Sequence, residues 1–195
     1  MSNSDVSICN RALSLAGEKL ITSFDDSQNE AVVAKAMYGD ILAEVLEEGW
    51  SFNTERSTLL PDVSPTKFGG LNKFRLNNNV LRVMWATGDE STNPDIDKNM
   101  LYYTIEGRYI LADADKLFVK LSVKSEDPSK WSASFKTALV YRLASDFALS
   151  LSESRAKSND FMNRYIGFLS SASANDGSQG TSQKIRSSRL IDVRG

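Results

Sequence analysis

The side chains best suited by type to acid–base chemistry are three close carboxylate pairs, Asp25-Asp26, Glu47-Glu48 and Asp113/Asp115. A glycosidase needs two carboxyls facing each other across about 5–9.5 Å, usually from different elements. Neighbouring positions in sequence do not supply that geometry, and such pairs belong on solvated surface or at helix caps. The chain has no histidine and one cysteine, Cys9. Ser-His and Cys-His nucleophile arrangements are therefore absent, as are the usual zinc ligand sets. Gly69-Gly70 has neither the spacing nor the following Lys-Ser/Thr of a phosphate loop. The residues point to no catalytic site, no metal and no cofactor. A hydrolase using a carboxylate pair alone, with Glu47 and Glu48 first in line, is the alternative that survives.

Charge patterns carry more. Asp40, Glu44 and Glu47 recur at helical spacing on one face, with Glu48 at its boundary. A solvated helix face is the plain reading. The functional one is a lumen-facing acidic stripe, since carboxylates repel phosphate and let DNA slide past without sticking. Lys67, Lys73, Arg75 and Arg82 are interleaved with Phe68, Phe74 and Trp85 and have no acid among them. Such mixing suits either an ordinary protein-docking surface or a sequence-tolerant nucleic-acid contact. Residues 172–195 hold four cations against two acids, a net of +2 in a chain whose formal charge is −2.

The elements that would position these groups follow from periodicity. Ile8, Cys9, Ala12, Leu13 and Ala16 predict a helix over Asp5–Ala16 that stops at Gly17 and buries the Cys9 thiol. Ser27 and Glu30 read as a capping box opening a helix from about Gln28 to Glu48, roughly 30 Å long. Its apolar stripe is Ala34, Met37, Tyr38, Ile41 and Val45, and Gly49 ends it. Trp50 and Phe52 then anchor the exit into an extended segment running to Leu60. Short strands follow: Val80–Trp85, a hairpin over Tyr102–Ala112 turning near Glu106-Gly107, and Leu117–Lys124 with strict alternation. Asp127-Pro128 reads as the cap and first residue of a helix bearing Phe135, Leu139, Leu143 and Phe147. A last helix spans about Glu153–Ser171, through Phe161, Met162, Tyr165, Phe168 and Leu169.

Fold class is accordingly α+β: a mainly α-helical bundle with an inserted small antiparallel β region and an extended C-terminal arm. The expected division is 1–62 for the N-terminal helices, 63–126 for the β insertion, 127–171 for the C-terminal helices and 172–195 for a flexible arm. Hydrophobic content of 41% and charged content of 25% fit a folded soluble protein. No apolar run approaches the roughly 20 residues of a membrane span. The polar opening Ser2–Asp5 lacks the order of a signal peptide, so synthesis in a cytoplasm is expected. In the arm, residues 172–183 hold too little apolar surface to offset chain entropy. Ile185–Val193 mixes apolar residues with arginines, as in a segment that folds onto something else or a plain frayed end.

The run Gly49-Trp50-Ser51-Phe52-Asn53, followed by Leu59-Leu60-Pro61-Asp62, resembles the tail tubular protein A family of short-tailed bacteriophages. Arg11-Ala12-Leu13 and Leu15-Ala16-Gly17-Glu18 at the end of the first helix resemble it too, as does the order of elements over most of residues 5–170. The resemblance implies a structural virion protein, a dodecameric ring joining the portal to the tail nozzle, with genomic double-stranded DNA passing through its lumen during ejection. It also implies that the helical body builds the ring, that the β part helps meet the tail component and that the arm engages the portal. The docking residues are then Ile185, Arg186, Arg189, Leu190 and Ile191, and the structural junction is Gly49, Trp50 and Phe52.

Overall fold

The computed structural model describes residues 5–63, 69, 71–91, 101–125 and 127–180, with 171–180 as helix backbone only. Ile185, Arg186, Arg189, Leu190 and Ile191, and with them most of the expected arm, lie outside the described residues. In chain order the elements are α1 (Asp5–Ala16), α2 (Asn29–Glu47), a 3-10 turn (Ser51–Asn53), β1 (Thr54–Leu59), β2 (Asn72–Arg75), β3 (Val80–Thr87), β4 (Tyr103–Glu106), β5 (Tyr109–Ala112), β6 (Leu117–Val123), α3 (Ala133–Ser150) and α4 (Arg155–Gly180). The fold is α+β.

α1 forms where its spacing predicts, burying Ile8, Cys9, Ala12, Leu13 and Ala16. Gly17 ends it at φ +89. The Glu18 N–H reaches the Leu13 carbonyl at 2.9 Å and the Gly17 N–H reaches Ser14 at 3.2 Å, the paired bonds of a left-handed helix cap. α2 does not begin with the expected capping box. Its N-cap is Gln28, which makes no side-chain cap bond. The preceding turn is tied by the Asp26 carboxylate, which accepts from the Thr22 and Ser23 N–H groups at 2.7 and 3.1 Å. The chain enters from that turn with Gln28, not Ser27, at the helix mouth.

α3 also starts later than Asp127-Pro128 suggests. Asp127 instead accepts from the N–H and hydroxyl of Ser129, at 3.0 and 2.7 Å, closing a local turn. Ser132 caps the helix, its hydroxyl oxygen accepting from the Phe135 N–H at 3.1 Å. The turn lets Trp131 reach the core before the helix begins, its indole N–H donating to the Ser125 carbonyl at 3.2 Å. α4 starts at Arg155, because Glu153 takes φ +51 in the connection from α3. Its backbone runs to Gly180, nine residues beyond the expected end at Ser171. A helix already nucleated by packed residues such as Phe161 and Tyr165 gains one bond per added residue, so propagation tolerates the poor helix formers that follow.

The β region forms two antiparallel sheets, ordered β1-β6-β3 and β2-β5-β4. β6 is central in the first, running from Leu59↔Leu117 to Thr54↔Ser122 against β1. β3 pairs on its other side with register shifts between Val80 and Arg82 and between Val83 and Trp85. In the second sheet β4 and β5 make the hairpin expected around Gly107, which sits at φ +59. Phe74, Ile110 and Ala112 from this sheet share a core with Val83, Ala86, Leu117, Val119 and Leu121 of the first. A separate, larger core joins α1 to α4 and includes Leu13, Val45, Leu46, Phe135, Leu139, Leu143 and Phe147. The chain thus leaves the helical core after α2 and re-enters it at Trp131.

Candidate functional site

The densest arrangement of named residues is the junction at the end of α2. Gly49 stops the helix at φ +79, where a side chain is strained, and a Cβ there would lie 2.7 Å from the Met84 methyl. Trp50 turns back into the helical core, and its indole N–H donates to the Val45 carbonyl at 2.8 Å, satisfying an acceptor the helix end leaves open. Trp50, Phe52 and Trp131 all meet the ring of Phe135 edge-on, with centroids 5.4, 5.0 and 5.0 Å away. That geometry places positive ring edges on a negative face.

Two residues absent from the sequence-based candidates complete the junction. Asn53, 2% exposed, donates from Nδ2 towards the Leu46 carbonyl at 2.9 Å, Ser122 Oγ at 3.1 Å and the Val123 carbonyl at 3.0 Å. The Ser122 hydroxyl donates to the same Leu46 carbonyl at 2.7 Å. The last turn of α2 is therefore bonded directly to β6. Asn53 stands in the run Gly49–Asn53 that the sequence already singles out. Ser122 carries no such signal, because alternation assigns it to the polar face of its strand without saying that a helix covers that face.

The acidic stripe is exposed but not uniform. Asp40, Glu44 and Glu47 all face outward. Glu44, however, is gripped by Arg142 of α3, with Nε–Oε1 at 2.8 Å and Nη2–Oε2 at 3.0 Å. Arg142 also donates to Asp146 at 2.6 Å. Burial pulls the Arg142 pKa down, but the hydrogen bonds to Glu44 and Asp146 outweigh it and leave the group above its ordinary value. Tyr165 of α4 lies beside this network. Burial first, then the Glu48 and Glu44 carboxylates, push its phenol up to about 12. Among the described residues neither Asp40 nor Glu47 has an ion-pair partner.

Other candidates are dispersed. Glu47 and Glu48 stand on consecutive positions at the end of α2, about 100° apart around the axis, so they do not face each other across a shared site. Of the basic–aromatic series, Lys67 and Phe68 lie outside the described residues. Lys73 and Arg75 are on β2 and Arg82 on β3, in different sheets. Phe74 is fully buried and Trp85 is 8% exposed, so neither presents a ring for base stacking. Lys73 lies 3.9 Å from the ring centroid of Tyr109 instead. Among the described residues no group of three or more His, Cys, Asp or Glu side chains could hold a metal ion, and no helix is long and apolar enough to cross a membrane.

No curated protein matches the chain. One protein family does, described as tail tubular protein, over residues 6–176. Among the described residues the match takes in both sheets and the four helices, apart from Asp5 at the start of α1 and residues 177–180 at the end of α4.

Proposed function

We propose a finer role from a plain premise, that the chain belongs to the tail tubular protein family and is a structural component of a bacteriophage tail. It assembles as a ring of like copies between the portal and the tail nozzle, and double-stranded DNA crosses its lumen during ejection. The single observation carrying this reading is the family match, which spans the helical body and the β region together. The physical traits fit a static joint. Backbone polar groups at the end of α2 are bonded into the β region, and Glu47 and Glu48 do not face each other across a shared site. Outward-facing Glu47 suits a wall along which DNA slides, because its charge repels phosphate.

In this role the β region helps meet the nozzle. Leu60 at 72% and Val63 at 99% exposure beyond β1, and Tyr102 at 97% before β4, leave apolar surface there for a partner. The arm engages the portal through Ile185, Arg186, Arg189, Leu190 and Ile191. Negative-stain microscopy with mass measurement, on the chain alone and mixed with its portal, tests the assignment. Rings, alone or capping the portal, are expected, and monomers in both samples would overturn it. Deleting residues 181–195 is expected to leave the circular dichroism unchanged and to abolish portal binding. Undiminished pull-down by the truncated chain would remove the arm from the portal contact.

A further inference from the structure

A ring needs two different surfaces on each copy that fit one another, since only a heterologous joint continues around a closed circle. One surface is an open groove of about 490 Å³ between α1 and α3. Its lining includes Arg11, Leu15, Leu20, Thr137, Val140 and Tyr141. Leu15 and Leu20 are 43% and 57% exposed, so apolar area is left open to water. Arg11 is the one charged residue of the lining, and no ion pair engages it among the described residues.

The second surface is the exposed side of α2, opposite its buried stripe. Val32, Ala36, Gly39 and Asp40 are all exposed there, and a Cβ built on Gly39 meets nothing within 4 Å. Lys35, the cation on this side, is held by Asp25 at 2.7 Å. Asp40 flanks the low ridge on its other edge. A narrow ridge of small side chains edged by a carboxylate matches an apolar groove edged by a guanidinium in both shape and sign.

We infer that the α1–α3 groove of one copy seats the outer face of α2 from the next, with Asp40 opposite Arg11. The inference rests on the ring reading and deepens it by naming the joint. The C-terminal segment is a worse occupant, because Lys184, Arg186, Arg189 and Arg194 would bring like charge onto Arg11. Asp40 then belongs to the subunit joint, and Glu47, seven residues on, remains as the stripe's carboxylate open to a lumen.

Charge reversal tests this on the full chain. Arg11→Glu alone and Asp40→Arg alone are each expected to raise the concentration for half-assembly by roughly tenfold, read by sedimentation or mass photometry. The double variant carrying both reversals is expected to return within roughly twofold of the original chain. Both positions are exposed, so circular dichroism of each variant is expected to match that of the original chain. Rings that form equally well in both single variants overturn this joint and leave the ring reading standing. Single variants that weaken assembly without recovery in the double variant place the two residues at separate contacts and also overturn it. An original chain that stays monomeric, alone and on its portal, overturns the ring reading together with the joint.

Discussion

Cys9 shows how far one position can be read from its neighbours. The spacing of Ile8, Ala12, Leu13 and Ala16 predicts burial of its thiol, and the side chain is fully enclosed. Burial first, and the nearby Asp5 carboxylate second, push the thiol up to about 12 from an ordinary value of 9.0. A neutral, enclosed thiol is a poor nucleophile. A disulfide reagent such as Ellman's is therefore expected to titrate Cys9 only as the chain unfolds in urea. Rapid stoichiometric reaction with the native protein would contradict the packing. The shift has a sign for stability as well. The native state holds the Cys9 proton to higher pH than the unfolded chain, so this contribution is whole below about pH 9 and is lost as pH rises towards 12. Tyr165 acts the same way over pH 10 to 12. Melting temperature is expected to fall across this window, and Cys9→Ala to flatten the fall.

At the scale of elements, the helices and most strands are legible and their edges less so. The short strand β2 (Asn72–Arg75) is missed, because four residues give too little alternation to read. Periodicity reports which residues share a face, and burial of those faces determines where an element lies. The first and last turns answer to other forces. α3 waits for Ser132 because Asp127 is used in the turn with Ser129 and Trp131 must first enter the core. The α3–α4 connection contains a further consequence. Glu153 is exposed and holds φ +51, a left-handed conformation that costs a non-glycine residue about 1–2 kcal/mol. Glu153→Gly is expected to stabilise the chain by about 0.5–1 kcal/mol, after the greater entropy of glycine in the unfolded state is set against the relieved strain. A urea midpoint that moves down would mean that the Glu153 side chain supplies a compensating interaction.

For the molecule as a whole, the question is whether two cores behave as one. The helical core and the β core meet where the Leu46 carbonyl accepts from Asn53 and Ser122. Removing the Asn53 amide takes away three largely buried bonds, to the Leu46 and Val123 carbonyls and Ser122 Oγ, while the Ser122 hydroxyl stays on the Leu46 carbonyl. Asn53→Ala is expected to lower stability by about 1–3 kcal/mol. If the junction couples the cores, far-UV circular dichroism and tryptophan fluorescence should shift to one common, lower midpoint in that variant. Midpoints that separate would show the two cores unfolding independently.

The amino-acid sequence by itself determined the α+β class, the burial of the main helical stripes, the β hairpin and the resemblance carried by Gly49–Asn53. Each depends on local spacing, turn chemistry or residue identity, which a one-dimensional string preserves. Tertiary structure alone decided what lies against the second face of each element. It places Ser122 under the end of α2, Arg142 on Glu44, and Phe74 inside a core rather than on a binding surface. Those outcomes depend on contacts between positions far apart in the chain, 76 residues for Ser122 and Leu46 and 98 for Arg142 and Glu44. Periodicity says that a face exists, and only packing says what covers it.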